Sequence, residues 1–244
     1  MRFGAFDFRP ALWPTVITLL MLLLMTGLGI WQLERAVWKE GLVDTHEGRS
    51  RLPPIALRPG VEPSDEAQYR RVFARGYYDM EHQLLLDNRT YQGHAGYHVL
   101  TPLRLAESDA VVLVNRGWVP LGKSRAELPE IPGTDGEVLV DAIVQLPPVK
   151  LFRLADVDEA NTGWPKVVQQ IEMGKLEQLL DVKLEPLTLL LDKDDEFGFI
   201  RDWKAVYGVT VDKHRAYAVQ WFTLAAVLLI IYISVNSRRI SNEK

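Results

Sequence analysis

The amino-acid sequence predicts a membrane protein of two transmembrane helices flanking a mainly antiparallel β domain outside the cytoplasm, of α+β or small-barrel type. Three observations predict it. Residues 10–33 and residues 216–237 carry no charged side chain. As helices, at about 1.5 Å per residue, the two runs reach roughly 36 and 33 Å against a hydrocarbon core of about 30 Å. Between them, residues 34–215 form a polar stretch in which short runs rich in Val, Leu and Tyr alternate with Gly, Pro, Asn and Asp, the pattern of short strands joined by turns.

Composition narrows the chemistry. The chain has no cysteine, so it holds no disulfide framework, thiolate nucleophile or cysteine-ligated cluster. Its 28 Lys and Arg against 32 Asp and Glu give a net charge of −4. No basic run has the footprint of a nucleic-acid site, and no nucleic-acid partner is expected.

Residues 1–9 read as a cytoplasmic tail containing Arg2 and Arg9, and residues 10–33 as the first span. Gly27-Leu28-Gly29 imitates a signal-peptidase site, but signal cores run about 7–15 residues. This run continues to Leu33 and then meets Glu34, Arg35, Lys39 and Glu40, which predicts a retained anchor. Residues 34–215 then form one extracytoplasmic domain, 216–237 the second span and 238–244 a second tail with Arg238, Arg239 and Lys244. Two spans put both termini on one side, and the arginine-bearing tails place that side in the cytoplasm.

Within the domain, strands are expected at Arg71–Tyr78, 82–87, 97–105, 111–119 and 137–146, with weaker candidates at 166–172, 187–192 and 205–211. Met173–Leu180 has apolar residues at 173, 176, 179 and 180, the spacing of a helix. Short links between strands favour an antiparallel sheet or small barrel. Residues 53–63 and 147–165 look irregular.

Several motifs weigh less than they first suggest. Gly117 to Ser124 satisfies the phosphate-loop expression. That loop, however, needs small residues, free amides and a long helix behind it, and Trp118, Pro120, Pro129 and Pro132 deny all three. His94 and His98 are placed to share a side if extended, but Gly93 and Gly96 suggest a turn and no softer ligand is near. Asp192, Asp194, Asp195 and Glu196 read as a solvated loop. Asn88-Arg89 and Asn115-Arg116 echo each other where strands are expected to end, and there the arginines should serve as structural forks.

His214 stands two residues before the second span. On a helix it shares a face with Tyr217, Ala218, Trp221 and Ala225, at offsets 3, 4, 7 and 11. The first span offers Gly27 and Trp31 at the same membrane surface. Position admits two readings. In one, His214 ligates a haem iron, Trp31, Tyr217 and Trp221 stack on the macrocycle, and Arg35 or Arg215 pairs with the propionates. In the other, His214 is a polar anchor within an interfacial aromatic belt.

The chain also resembles a known family. Gly29-Ile30-Trp31-Gln32 with Arg35 and Lys39, Tyr69-Arg70-Arg71-Val72, Gly76-Tyr77-Tyr78, Asp87-Asn88-Arg89, Gly96 to Pro102, Val112 to Pro120, and His214 with Tyr217-Ala218 and Gln220-Trp221-Phe222 together resemble the surfeit-locus family of cytochrome c oxidase assembly factors, bacterial type. The resemblance runs from the first span to the second, and Asn115 to Pro120 is its most specific piece. It implies an assembly factor rather than an enzyme, which helps place haem a in oxidase subunit I. The partners implied are that subunit, haem a synthase and membrane lipid. It further implies a bacterial inner-membrane location with a periplasmic domain. His214 matches the family histidine implicated in holding haem a, although Asp212-Lys213 precede it where relatives often carry Asn. A scaffold that stabilises oxidase intermediates without touching haem shares the same expected fold.

Overall fold

A computed structural model of the chain describes residues 2–3, 6–60, 62–122, 127–147, 163–203 and 208–239. In chain order the elements are β1 (Arg2–Phe3), β2 (Phe6–Phe8), α1 (Leu12–Ser50), β3 (Ile55–Ala56), β4 (Arg71–Tyr78), β5 (Leu84–Tyr91), β6 (His94–Leu105), β7 (Val111–Pro120), β8 (Glu137–Gln145), β9 (Lys166–Val168), α2 (Met173–Leu180), β10 (Leu184–Leu191), α3 (Val211–Asn236) and β11 (Ser237–Arg239). They fall into two compact units, Met1–Asp44 with Ala205–Lys244, and Thr45–Lys204.

The first unit contains most of α1, all of α3 and a small antiparallel sheet ordered β1-β2-β11. Both helices are long and apolar enough to cross a membrane. Their apolar side chains are turned outward: Leu12 is 75% exposed, Leu23 72%, Val219 65% and Ile230 63%. An apolar surface of that extent is characteristic of contact with lipid or protein. α1 outlasts the charge-free run by 17 residues, 34–50, and stops before Pro53-Pro54, where a proline disfavours helical backbone in the residue before it.

The second unit is built on an eight-stranded mixed sheet ordered β3-β4-β8-β10-β7-β6-β5-β9. β4 pairs along one edge with β8 and, through Gly76–Tyr78, also with β6. The pairings of β4, β8, β10, β7 and β6 therefore return to their start. Gly76 stands at that junction, where an added Cβ would lie 2.2 Å from the Arg104 carbonyl oxygen. The strands of this ring bury Val72, Ala74, Leu103, Val112, Val140 and Leu189 in one core. β5 and the outer half of β6 extend beyond the ring. α2 packs Leu176 against Leu84, Leu86 and Leu113 on one face of that extension, and Leu85, Tyr97, Val99 and Val119 gather in a third core.

The sheet is mainly antiparallel, as expected, through β4–β8, β4–β6, β8–β10, β6–β7 and β5–β6, but it is mixed, because β7–β10, β3–β4 and β5–β9 pair in parallel. The first of these is made possible by the chain from β7 to β10 passing through β8 and α2, long enough for a crossover. The strand expected at 205–211 is also corrected. Residues 204–207 lie outside the described residues, and Val211 opens α3, whose cap Thr210 accepts a hydrogen bond from the Lys213 amide at 3.4 Å. β5 starts at Leu84 rather than at residue 82 because Asp79 Oδ1 accepts the Glu81 and His82 amides, each at 3.1 Å, and holds a turn there.

Neither Asn-Arg pair ends a strand. Asn88-Arg89 lies inside β5 and Asn115-Arg116 inside β7, each at a break in register. Leu86 pairs with His98 but Arg89 with Gly96, and Leu100 pairs with Asn115 but Val99 with Gly117. In both cases the strand paired with β6 spends one residue more than β6 does, which defines a β-bulge and re-aims the side chains beside it.

Candidate functional site

α1 and α3 meet along a stripe of small and polar residues. On α1 the buried positions are Gly29, Ala36 and Lys39, and on α3 they are His214, Ala218 and Ala225, with spacings of 3, 4 and 7 that keep each set on one face. The α3 face is the one read from the sequence. The α1 face is not: Gly27 and Trp31 are exposed, and Gly29, Gln32, Ala36 and Lys39 occupy the stripe. The glycine makes room for a side chain rather than for a backbone, since a Cβ on Gly29 would lie 2.7 Å from the Phe222 ring.

His214 is 7% exposed, and its Nδ1 stands 2.6 Å from Gln32 Oε1. Among the described residues Nε2 makes no hydrogen bond, and it is not sealed from the surface. Lys39, also 7% exposed, donates to the Val209 carbonyl and so ties α1 to the entry of α3. Among the described residues, Lys39 and Arg35 lie within electrostatic reach of the imidazole.

The other sequence candidates separate on inspection. Arg215 Nη2 donates to both oxygens of the Glu40 carboxylate, at 2.9 and 2.8 Å, so this cation is already paired. Arg35 lies 4.0 Å over the Trp38 ring and among the described residues forms no hydrogen bond or ion pair. Trp31 and Tyr217 are about half exposed, and Trp221 is half-buried. Gln32 and Lys39 were missed as site residues by sequence reasoning. Their signals were polarity at and beyond the end of an apolar run and a place among the residues that carry the family resemblance.

In the second unit, β7 carries Arg116 into one end of the main core, where it is 3% exposed. Its Nε donates to the Phe197 carbonyl at 2.7 Å and its Nη2 to that of Pro132 at 3.4 Å. The Tyr78 and Phe199 rings stand 5.2 and 5.0 Å from the guanidinium carbon. Burial pulls this guanidinium below its ordinary pKa, and the neighbouring Tyr78 and Asp195 oppose the shift. Burial likewise pushes the Tyr78 phenol upward. Gly117 takes φ +117° directly after the bulge, and a Cβ there would lie 2.7 Å from the Ile200 carbonyl oxygen. The bulges are tied together by Trp118, whose Nε1 donates to the Arg89 carbonyl at 3.1 Å.

His94 and His98 both lie on β6 rather than in a turn. His94 is exposed, whereas His98 Nδ1 meets Asn115 Nδ2 at 3.2 Å and its ring stands edge-on to Trp203 at 5.4 Å. Asn115 Oδ1 accepts the Gly117 amide at 3.2 Å, which leaves the amide nitrogen to donate to the imidazole. Desolvation, reinforced by the Arg89 charge, lowers the His98 pKa to about 4. Among the described residues no three His, Asp or Glu side chains converge on a point. Residues 117–120 are strand, not a phosphate-wrapping loop, and Lys123 and Ser124 lie outside the described residues. In the acidic run, Asp192 stands 3.5 Å from Arg71 and Asp195 Oδ1 accepts the Phe197 amide at 3.0 Å, so the run is folded around its own partners.

Comparison with known proteins covers both units. The chain is 26% identical to the Surfeit locus protein 1 of Takifugu rubripes over 88% of its own length and 93% of that protein's. It is 32% identical to the mouse Surfeit locus protein 1 over 49% of this chain and 44% of the mouse one. It is 30% identical to the Saccharomyces cerevisiae cytochrome oxidase assembly protein SHY1 over 38% of this chain and 24% of the yeast protein. Residues 19–226, from within α1 to within α3, match the SURF1 family as a whole, and the chain therefore belongs to the SURF1 family.

Proposed function

We propose that this chain is a membrane-anchored assembly factor for cytochrome c oxidase that holds haem a through His214 and delivers it to subunit I. The kinship with an assembly protein supports the general role. The observation that carries the haem reading is the buried His214, hydrogen-bonded at one ring nitrogen and open at the other. Imidazole is an iron ligand of haem proteins, so the donor chemistry fits. Arg35 and Lys39 supply positive charge for the propionates, and Arg215 reaches them only by giving up Glu40. Trp31, Tyr217 and Trp221 offer flat apolar surface nearby. The isoprenoid tail of haem a favours lipid by about 0.8 kcal/mol per CH₂, which suits a site on helices whose outer faces are apolar. The protein sits in a bacterial inner membrane with both termini in the cytoplasm and the Thr45–Lys204 unit outside, folded as a small barrel with an extended hairpin. Haem a synthase, as the source of the haem, is the second partner.

The test is complementation. In cells deprived of the chain, His214→Ala expressed at the wild-type level should leave the oxidase short of haem a. Full restoration would favour the scaffold that never touches haem.

A further inference from the structure

We infer that Gln32 is the positioning residue for His214: by accepting the Nδ1 proton it fixes the tautomer whose Nε2 lone pair is free to ligate iron. This rests on the haem-holding reading and assigns the ligating atom within it. The Nδ1 to Oε1 separation is 2.6 Å. An amide oxygen accepts and does not donate, so the shared proton belongs to Nδ1, and a neutral imidazole then has none left for Nε2. Nε2 is free of hydrogen bonds to the described residues and is not sealed from the surface. Iron-ligating and zinc-ligating histidines in general donate their second ring N–H to a fixed acceptor, which sets ring orientation and raises basicity.

The fold provides that acceptor at a defined place. Gln32 follows Gly29 by three residues and precedes Ala36 by four, so it lies on the α1 stripe that faces His214. Ala36 and Ala218 are 2% and 1% exposed, and such close packing limits how far the pair can drift. Phe222 packed over Gly29 fixes the helices one turn deeper. The polar pair is thus held by packing on both sides.

The experiment uses the full chain in detergent, made in cells that synthesise haem a, with ¹⁵N-histidine labelling of the haem-free form and the His214→Ala spectrum as assignment. Wild type should show His214 protonated on Nδ1. Gln32→Leu should show mixed tautomers and lose bound haem a to excess apomyoglobin about 10- to 100-fold faster, the usual cost of removing an outer partner of a ligand. Gln32→Glu, which keeps the acceptor, should stay near wild type in both measurements. A wild-type His214 protonated on Nε2, or a Gln32→Leu variant that retains haem like wild type while His214→Ala does not, would overturn the role of Gln32 alone. Haem retained equally by His214→Ala would overturn the ligand reading beneath it, an outcome independent of residue 32.

Discussion

Arg116 shows how one side chain can be both a motif residue and a keystone. Its guanidinium closes one end of the main core while joining β7 to the Phe197 and Pro132 carbonyls. Removing it strands those acceptors and leaves a void between two aromatic rings. Charged hydrogen bonds contribute about 1.5–3 kcal/mol each, so Arg116→Ala should destabilise the second unit by about 3 kcal/mol, read from tryptophan fluorescence during urea unfolding. Arg116→Lys should recover little, because a point charge cannot reproduce the fork. An Arg116→Ala protein as stable as wild type that still fails in oxidase assembly would make this residue part of a partner surface. His98 has a different signature. Its folded pKa, about 4, lies below the unfolded 6.5, so the unfolded chain binds more protons between these values. Its contribution is therefore complete above pH 6.5 and lost as pH falls toward 4. The shift of about 2.5 pH units corresponds to roughly 3 kcal/mol, at 1.36 kcal/mol per pH unit. His98→Gln should flatten the stability profile in that window; an unchanged slope would remove His98 as its source.

The helices and strands differ in how much the sequence reveals of them. β4 alternates buried and exposed residues along its length, and this period of two was readable, as were the four apolar positions of α2. The bulges were not, because an inserted residue changes register without changing composition. The contact face of α1 was hidden for another reason. A helix that is apolar all round has no phase to read, so the sequence offered Gly27 and Trp31 where the packing uses Gly29 and Gln32. Polarity returns only at Gln32 and beyond Leu33, with Glu34, Arg35 and Lys39, and of these three charged residues the structure buries Lys39. The packing at Gly29 should outweigh the hydrogen bonds that accompany it. The Thr15 to Tyr232 bond, 2.7 Å long, is of a class averaging about 0.6 kcal/mol between membrane helices, whereas overpacking costs about 1–3 kcal/mol. Gly29→Ala should therefore lower the melting temperature in detergent, and Phe222→Ala should cost less in that background than alone. Additive effects would show that the two residues do not share the contact.

For the whole molecule, the two units divide the labour. One exposes apolar helices and buries a histidine with two cations nearby; the other is a strand-built body whose family motifs serve its bulges and cores. Asn115 to Pro120, the most specific stretch of the sequence, lies within the second unit on β7, whereas His214 belongs to the first. The division also sets an expectation for topology: a reporter fused at Lys244 should be active only in a cytoplasmic format, and periplasmic activity there would reverse the orientation. The central claim is that His214 holds haem a, and the measurement that tests it most directly is the absorption spectrum of the purified chain from cells that synthesise haem a. Wild-type protein should show haem a bands and His214→Ala should lose them at equal protein yield; bands of equal intensity in both would mean that His214 does not hold the haem.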